Sequence, residues 1–134
     1  MADPTADLDA SFEDARRRLD DIVADADRNR ERARTLAEQS RTITAEVRSP
    51  RGEVVVRAGV GGRIGAITFG PGAESLGLDT LARLTVHTIA DAQHAAMRRL
   101  AEQGAAQFGT DSDIARGLYR DADTGYPPAA PTFG

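Results

Sequence analysis

Seven arginines within residues 28–51 are the side chains of this chain best suited to chemistry. Arg28, Arg30, Arg32 and Arg34 stand in the run Arg28-Asn29-Arg30-Glu31-Arg32-Ala33-Arg34, and Arg41, Arg48 and Arg51 follow. A guanidinium is planar, permanently charged and donates in a fork that matches a phosphate. On a helix, Arg28 with Arg32 and Arg30 with Arg34 are i,i+4 neighbours, and like charges at that spacing weaken the helix slightly. A polyanion laid along the row would offset that cost, held through its phosphates with no base read. The competing reading is a solvated helix face with acidic neighbours on a partner helix. The seven arginines are the candidate DNA contacts, in an electrostatic role. The sheet residues Arg48, Arg51 and Arg57 are next in line if the run does not carry the contact.

Other constellations are weaker. His87, Asp91 and His94 lie at i, i+4 and i+7 and share a helix face, as a metal site requires. No third strong ligand is evident and Cys is absent, so they are read as surface or interface residues, with no metal or cofactor expected. Gly59, Gly61, Gly62 and Gly65 lack the strand-to-helix setting of a phosphate loop and read as a hairpin turn. Ser49 has no His near it in sequence, so nothing supports nucleophilic catalysis, and no enzyme is expected.

The element that must position the arginine run is a long helix. Leu8, Phe12, Ala15, Leu19, Ile22, Ala26, Asn29, Ala33, Leu36, Ser40 and Ile43 follow one another at alternating spacings of four and three. That period marks a helix whose apolar stripe faces another helix. A helix over about residues 7–41 would be roughly 50 Å long, more than a small domain can cover. A second copy of the chain would cover it, so a homodimer with a coiled-coil element is expected. Asn29 on the seam suits a register device better than a ligand-binding role.

Behind the helix the period changes to two. Ile43, Ala45 and Val47 alternate with polar neighbours, and the turn Ser49-Pro50-Arg51-Gly52 leads into a strand over 53–58. Gly59-Val60-Gly61-Gly62 turns into a third strand over 63–69. Two tight turns between three β-rich runs predict an antiparallel meander. A second helix is predicted from Asp79, as N-cap, to about Gln103, with Gly104 as its stop. The fold class is therefore α+β: long N-terminal helix, three-stranded antiparallel meander, C-terminal helix. Residues 1–104 form that domain, and 105–134, rich in Gly, Asp, Ala and Pro, form a flexible and mostly disordered tail.

Charge is unevenly spread. The chain carries a net −4, yet residues 1–27 hold three Arg against nine acids and 28–51 hold seven Arg against three Glu. Overall acidity thus does not exclude nucleic acid, since local patches govern binding. With no Cys, no apolar run of membrane length and no secretory leader, a cytoplasmic protein with no membrane partner is expected. All basic residues are Arg, with no Lys, which fits a GC-rich genome or a selection for phosphate contacts.

Residues 45–59, Ala45-Glu46-Val47-Arg48-Ser49-Pro50-Arg51-Gly52-Glu53-Val54-Val55-Val56-Arg57-Ala58-Gly59, then Arg63-Ile64-Gly65-Ala66-Ile67-Thr68-Phe69, Leu81 to Leu84, and Ile89-Ala90-Asp91-Ala92, resemble the YbaB/EbfC family. That family pairs a polar turn ending in Gly with a Val-rich strand, a strand of the type x-V-x-x-I-x-I and a helix of the type L-x-x-L-I-x-x-A-x-x-D-A. The resemblance covers roughly residues 10–103. It implies a homodimeric nucleoid-associated protein that binds DNA with little sequence preference and has no catalytic activity. Family members commonly carry Met, Gln and Lys in the first helix, where this chain has Arg and Asp. Some actinobacterial relatives accompany type VII secretion clusters, so the resemblance also implies an alternative: a protein-interaction or chaperone-like accessory module with a protein partner.

Overall fold

A computed structural model describes residues 4–130. The first three residues of the polar leader and the last four of the Pro-rich stretch lie outside the described residues. Helix α1 covers Pro4–Ser40, strands β1, β2 and β3 cover Thr44–Arg48, Val54–Gly59 and Ile64–Phe69, and helices α2 and α3 cover Leu78–Phe108 and Asp113–Arg120. The α+β order of helix, three-stranded antiparallel sheet and C-terminal helix follows the sequence periods, with sheet order β1-β2-β3. The chain divides into two compact units, Met1–Thr35 and Leu36–Gly134.

The first unit is helix alone. Its apolar stripe is bare, with Leu8, Phe12, Leu19, Ile22 and Val23 each more than half exposed. Carboxylates placed three or four residues before arginines add a little to its stability as a helix. Glu13 meets Arg16 at 2.9 Å, and Asp14 meets Arg17 and Arg18 at 3.6 Å.

The second unit holds the core. Ala45, Val54, Val56 and Ala58 on the inner sheet face pack against Ala92 and Ala96 of α2, with Val47, Leu81, Leu84, Ile89 and Ala95 around them. Register sets this face: Val47 pairs with Val56 and Ala45 with Ala58, so alternate residues of each strand point to α2. The β1–β2 turn is built by Ser49, whose hydroxyl accepts from Val54 N at 3.0 Å and whose carbonyl accepts from Gly52 N at 2.9 Å. Gly52 takes φ +76, a conformation that suits glycine.

Two boundaries depart from the sequence expectation. Helix α2 begins at Leu78 with Gly77 as N-cap, which puts Asp79 in the first turn and makes no cap of it. Helix α2 also runs through Gly104 to Phe108, and Gly109 (φ +98) is the cap. Gly104 is instead a contact point, buried beneath Leu118. A mostly disordered stretch from 105 is not what the structure has over 105–125: α3 follows, capped by the Ser112 hydroxyl on Ala115 N at 3.1 Å, then a π-turn over Asp121–Gly125. Leu118, Ala122 and Tyr126 join Met97, Leu100, Leu36, Ile43 and Val60 in a second apolar cluster. Burial of those few side chains outweighs the poor local propensity of the segment.

Candidate nucleic-acid interface

The seven candidate arginines separate into three settings. In α1, Arg28 is ion-paired with Asp25, Arg30 with Asp27 at 3.5 Å and Arg34 with Glu31 at 3.3 Å. In each pair the acid lies on α1 itself, one turn before its arginine. Arg32 has no ion-pair partner among the described residues. The row is thus largely self-neutralised, although each pair is exposed and holds weakly against water.

Arg48 belongs to the outer face of the sheet, the side turned away from α2, and Arg41, in the turn after α1, lines a cleft at the end of that face. Register fixes that face: Glu46 pairs with Arg57 and Arg48 with Val55, while Val55 pairs with Thr68 and Arg57 with Ala66. Side chains at these positions all project opposite to Val54 and Val56. Arg48 and Arg57 are exposed. Across the strands, Arg57 donates to Glu46 Oε2 at 3.4 Å. At one end of this face a cleft of about 140 Å³ is lined by Arg41, Arg57 and Arg63 together with Thr44, Gly59 and Gly65. Arg41, Arg48 and Arg63 have no ion-pair partner among the described residues.

Arg51 occupies a third setting. With Pro50, Glu53 and Arg83 it lines a cleft of about 470 Å³ between the β1–β2 turn and the start of α2. Glu53 is buried there, and its Oε1 has no hydrogen-bond partner. The structure thus brings Arg48 to the outer face and Arg41 to its end, and leaves Arg51 off it. Arg63, read from the sequence as the first residue of the third strand, was not among the candidate contacts; the structure brings it to the cleft beside Arg41 and Arg57. Arg57 was legible: it interrupts the inward series Val54, Val56, Ala58 and so must point outward.

His87, Asp91 and His94 do not converge on a common point. Asp91 Oδ1 accepts from Ala129 N at 2.8 Å. His94 Nδ1 lies 2.9 Å from the carbonyl oxygens of both Ala122 and Tyr126. Carbonyls only accept, so Nδ1 carries the proton and donates to both. These two residues fasten the C-terminal segment to α2.

Among the described residues no helix is long and apolar enough to cross a membrane. A model of the YbaB/EbfC DNA-binding family matches residues 16–110 of the chain. No curated protein matches, and no solved structure matches.

Proposed function

The chain belongs to the YbaB/EbfC DNA-binding family, and on that premise we propose that it acts as a homodimeric nucleoid-associated protein holding DNA through its phosphates with little sequence preference. The observation that carries this reading is the bare outer face of the sheet. With the cleft at its end it presents Arg41, Arg48, Arg57 and Arg63, of which only Arg57 is ion-paired among the described residues. Exposed guanidiniums without base-shaped pockets or aromatic platforms suit backbone contact, which is sequence-tolerant. The role of every arginine of the 28–51 set is electrostatic, with those left free by acids (Arg32, Arg41, Arg48 and Arg51) making most of the contact. No catalytic group is required, and the site of action is the cytoplasmic nucleoid.

The dimer reading rests on the opposite face. Ile64, Ile67 and Phe69 lie on the inner side of β3, opposite Ala58, Val56 and Val54, yet remain 37–54% exposed. The neighbouring flank of α2 is also bare, with Leu78 85% and Val86 64% exposed. β3 is an edge strand, so its outer hydrogen-bonding groups are open to a further strand. A second copy pairing β3 with β3 antiparallel about a two-fold axis would extend the sheet and cover both apolar flanks at once.

Anisotropy of labelled duplexes of unrelated sequence tests the function. Similar affinities, falling steeply with salt, are the expected result. Failure to bind any duplex at about 50 mM salt would discard DNA and leave the second reading, a protein-interaction module. That reading draws on the bare apolar stripe of α1, which a partner helix could cover.

A further inference from the structure

We propose that the cleft bounded by Arg41, Arg57 and Arg63 is the seat of one DNA backbone phosphate, with Glu46 as the intramolecular competitor that occupies Arg57 when DNA is absent. The proposal rests on the DNA reading above and narrows it to a place and a mechanism.

Three arginines reach this cleft from three different elements. Arg41 follows the last turn of α1, Arg57 lies mid-strand on β2, and Arg63 ends the β2–β3 turn. Like charges gather at a cost, which a bound anion removes. Two glycines, Gly59 and Gly65, are among its lining residues. A Cβ on Gly59 would lie 3.7 Å from Arg63 Cβ and Cδ, and one on Gly65 would lie 3.9 Å from Arg57 Cγ and Cδ. Those are ordinary contact distances, so a side chain at either position would rest against an arginine of the cleft. At about 140 Å³ the cleft takes a phosphate group and water. No aromatic ring lines it, so a base would find no stacking surface.

The charge environment favours this place over the α1 row. Residues 25–34 hold four arginines against three carboxylates, and three of those arginines are already paired. The outer sheet face and the cleft at its end present Arg41, Arg48, Arg57 and Arg63, and among the described residues only Arg57 of these is ion-paired, with Glu46. The Glu46–Arg57 contact is long, at 3.4 Å, and both side chains are about half exposed. A phosphate approaching Arg57 with Arg41 and Arg63 behind it outcompetes one solvated carboxylate. Arg48, further along the same face, supplies a second contact.

Duplex binding measured across a salt series tests the seat, on full-length protein whose fold and dimer mass are checked for each variant. R41Q/R57Q/R63Q should bind about tenfold or more weaker, with a salt slope lower by about two to three. E46Q should bind tighter than wild type, since it releases Arg57 without adding a contact. R28Q/R30Q/R34Q removes the same number of charges and should weaken binding less than R41Q/R57Q/R63Q does; an equal or larger loss overturns the seat. Arg63 has no partner to lose, so R63Q alone keeps the test open if the triple variant misfolds, and a measurable loss is expected. A triple variant that binds like wild type, or an E46Q that does not tighten, overturns the seat and leaves DNA binding standing. Wild-type protein that binds no duplex at low salt overturns the DNA reading and the seat with it.

Discussion

Leu118 of α3 fills the space that a side chain on Gly104 of α2 would need. A Cβ built on Gly104 would lie 2.5 Å from Leu118 Cδ1, with Leu36 Cδ2 at 3.8 Å behind it. α3 is held to α2 by that close approach, so Gly104, which the sequence suggested as the helix stop, is a packing residue within α2. Gly104→Val should therefore destabilise the protein by about 1–3 kcal/mol, since its γ-methyls must displace Leu118 or Leu36. Denaturant melts would give the loss, and faster amide exchange over 113–120 would place it. Adding Leu118→Ala to the valine variant should recover part of the loss, because the two sites are coupled. Unchanged exchange in α3 would show that the contact does not hold the helix.

A charge on the inner side of β3 should separate the two copies. Ile67 is 41% exposed although it faces the same way as buried Val56. Ile67→Asp would leave a carboxylate in a symmetric interface beside its own copy, with no cation to pair it. Light scattering at micromolar concentration should give twice the chain mass for wild type and one chain mass for the variant. Thr68→Asp, one residue on and on the outer face, should remain dimeric. A wild-type protein that is a folded monomer would end the dimer reading.

The long helix, the meander and the second helix were legible because each has a strong period over many residues. Val54, Val56 and Ala58 could only face inward once Arg57 lay between them. What the sequence did not show is that Arg63, at the head of the third strand, meets Arg41 and Arg57 at one cleft, because that meeting depends on strand register and on the turn after α1. α3 was hidden for a different reason. Its sequence, from Asp113 to Arg120 with Gly117 inside and glycines at 109 and 125, has weak helix propensity. Ser112 followed by Ile114 and Leu118 was the available signal: an N-cap ahead of an i,i+4 apolar pair. The ion pairs within the α1 row were legible too, since Asp25, Asp27 and Glu31 stand three residues before Arg28, Arg30 and Arg34.

His94 should prove to be a structural fastener. Its Nδ1 serves two carbonyls, those of Ala122 and Tyr126, and Asp91 holds Ala129 nearby. His94→Leu removes the donor and leaves two partly buried carbonyls short of a partner, at a cost of about 1–3 kcal/mol. Proteolysis should then cut within 121–130 faster than in wild type. His94→Asn, which keeps a donor near Nδ1, should lose less. Equal proteolysis of wild type and leucine variant would deny the fastening role. DNA affinity should be unaffected in both, since neither residue belongs to the outer sheet face.

If two copies of α1 pair along the seam, they should do so antiparallel. Residues 1–27 carry three Arg against nine acids and 28–51 carry seven Arg against three Glu, so an antiparallel pair sets opposite charges side by side. Local ion pairs such as Glu13–Arg16 reduce this contrast without removing it, because the acids of the first half outnumber its arginines. Asp25 and Arg30 fall on g and e positions that would suit a parallel pair, a single contact against the balance of the whole helix. The absence of Cys makes the test clean. Leu19→Cys alone should not cross-link to itself with a short thiol reagent, since antiparallel helices carry the two copies of residue 19 apart. A mixture of Leu19→Cys and Ala33→Cys chains should cross-link between unlike chains. Self-linking at position 19, with none between 19 and 33, would establish a parallel pair and assign the charge asymmetry to some other partner.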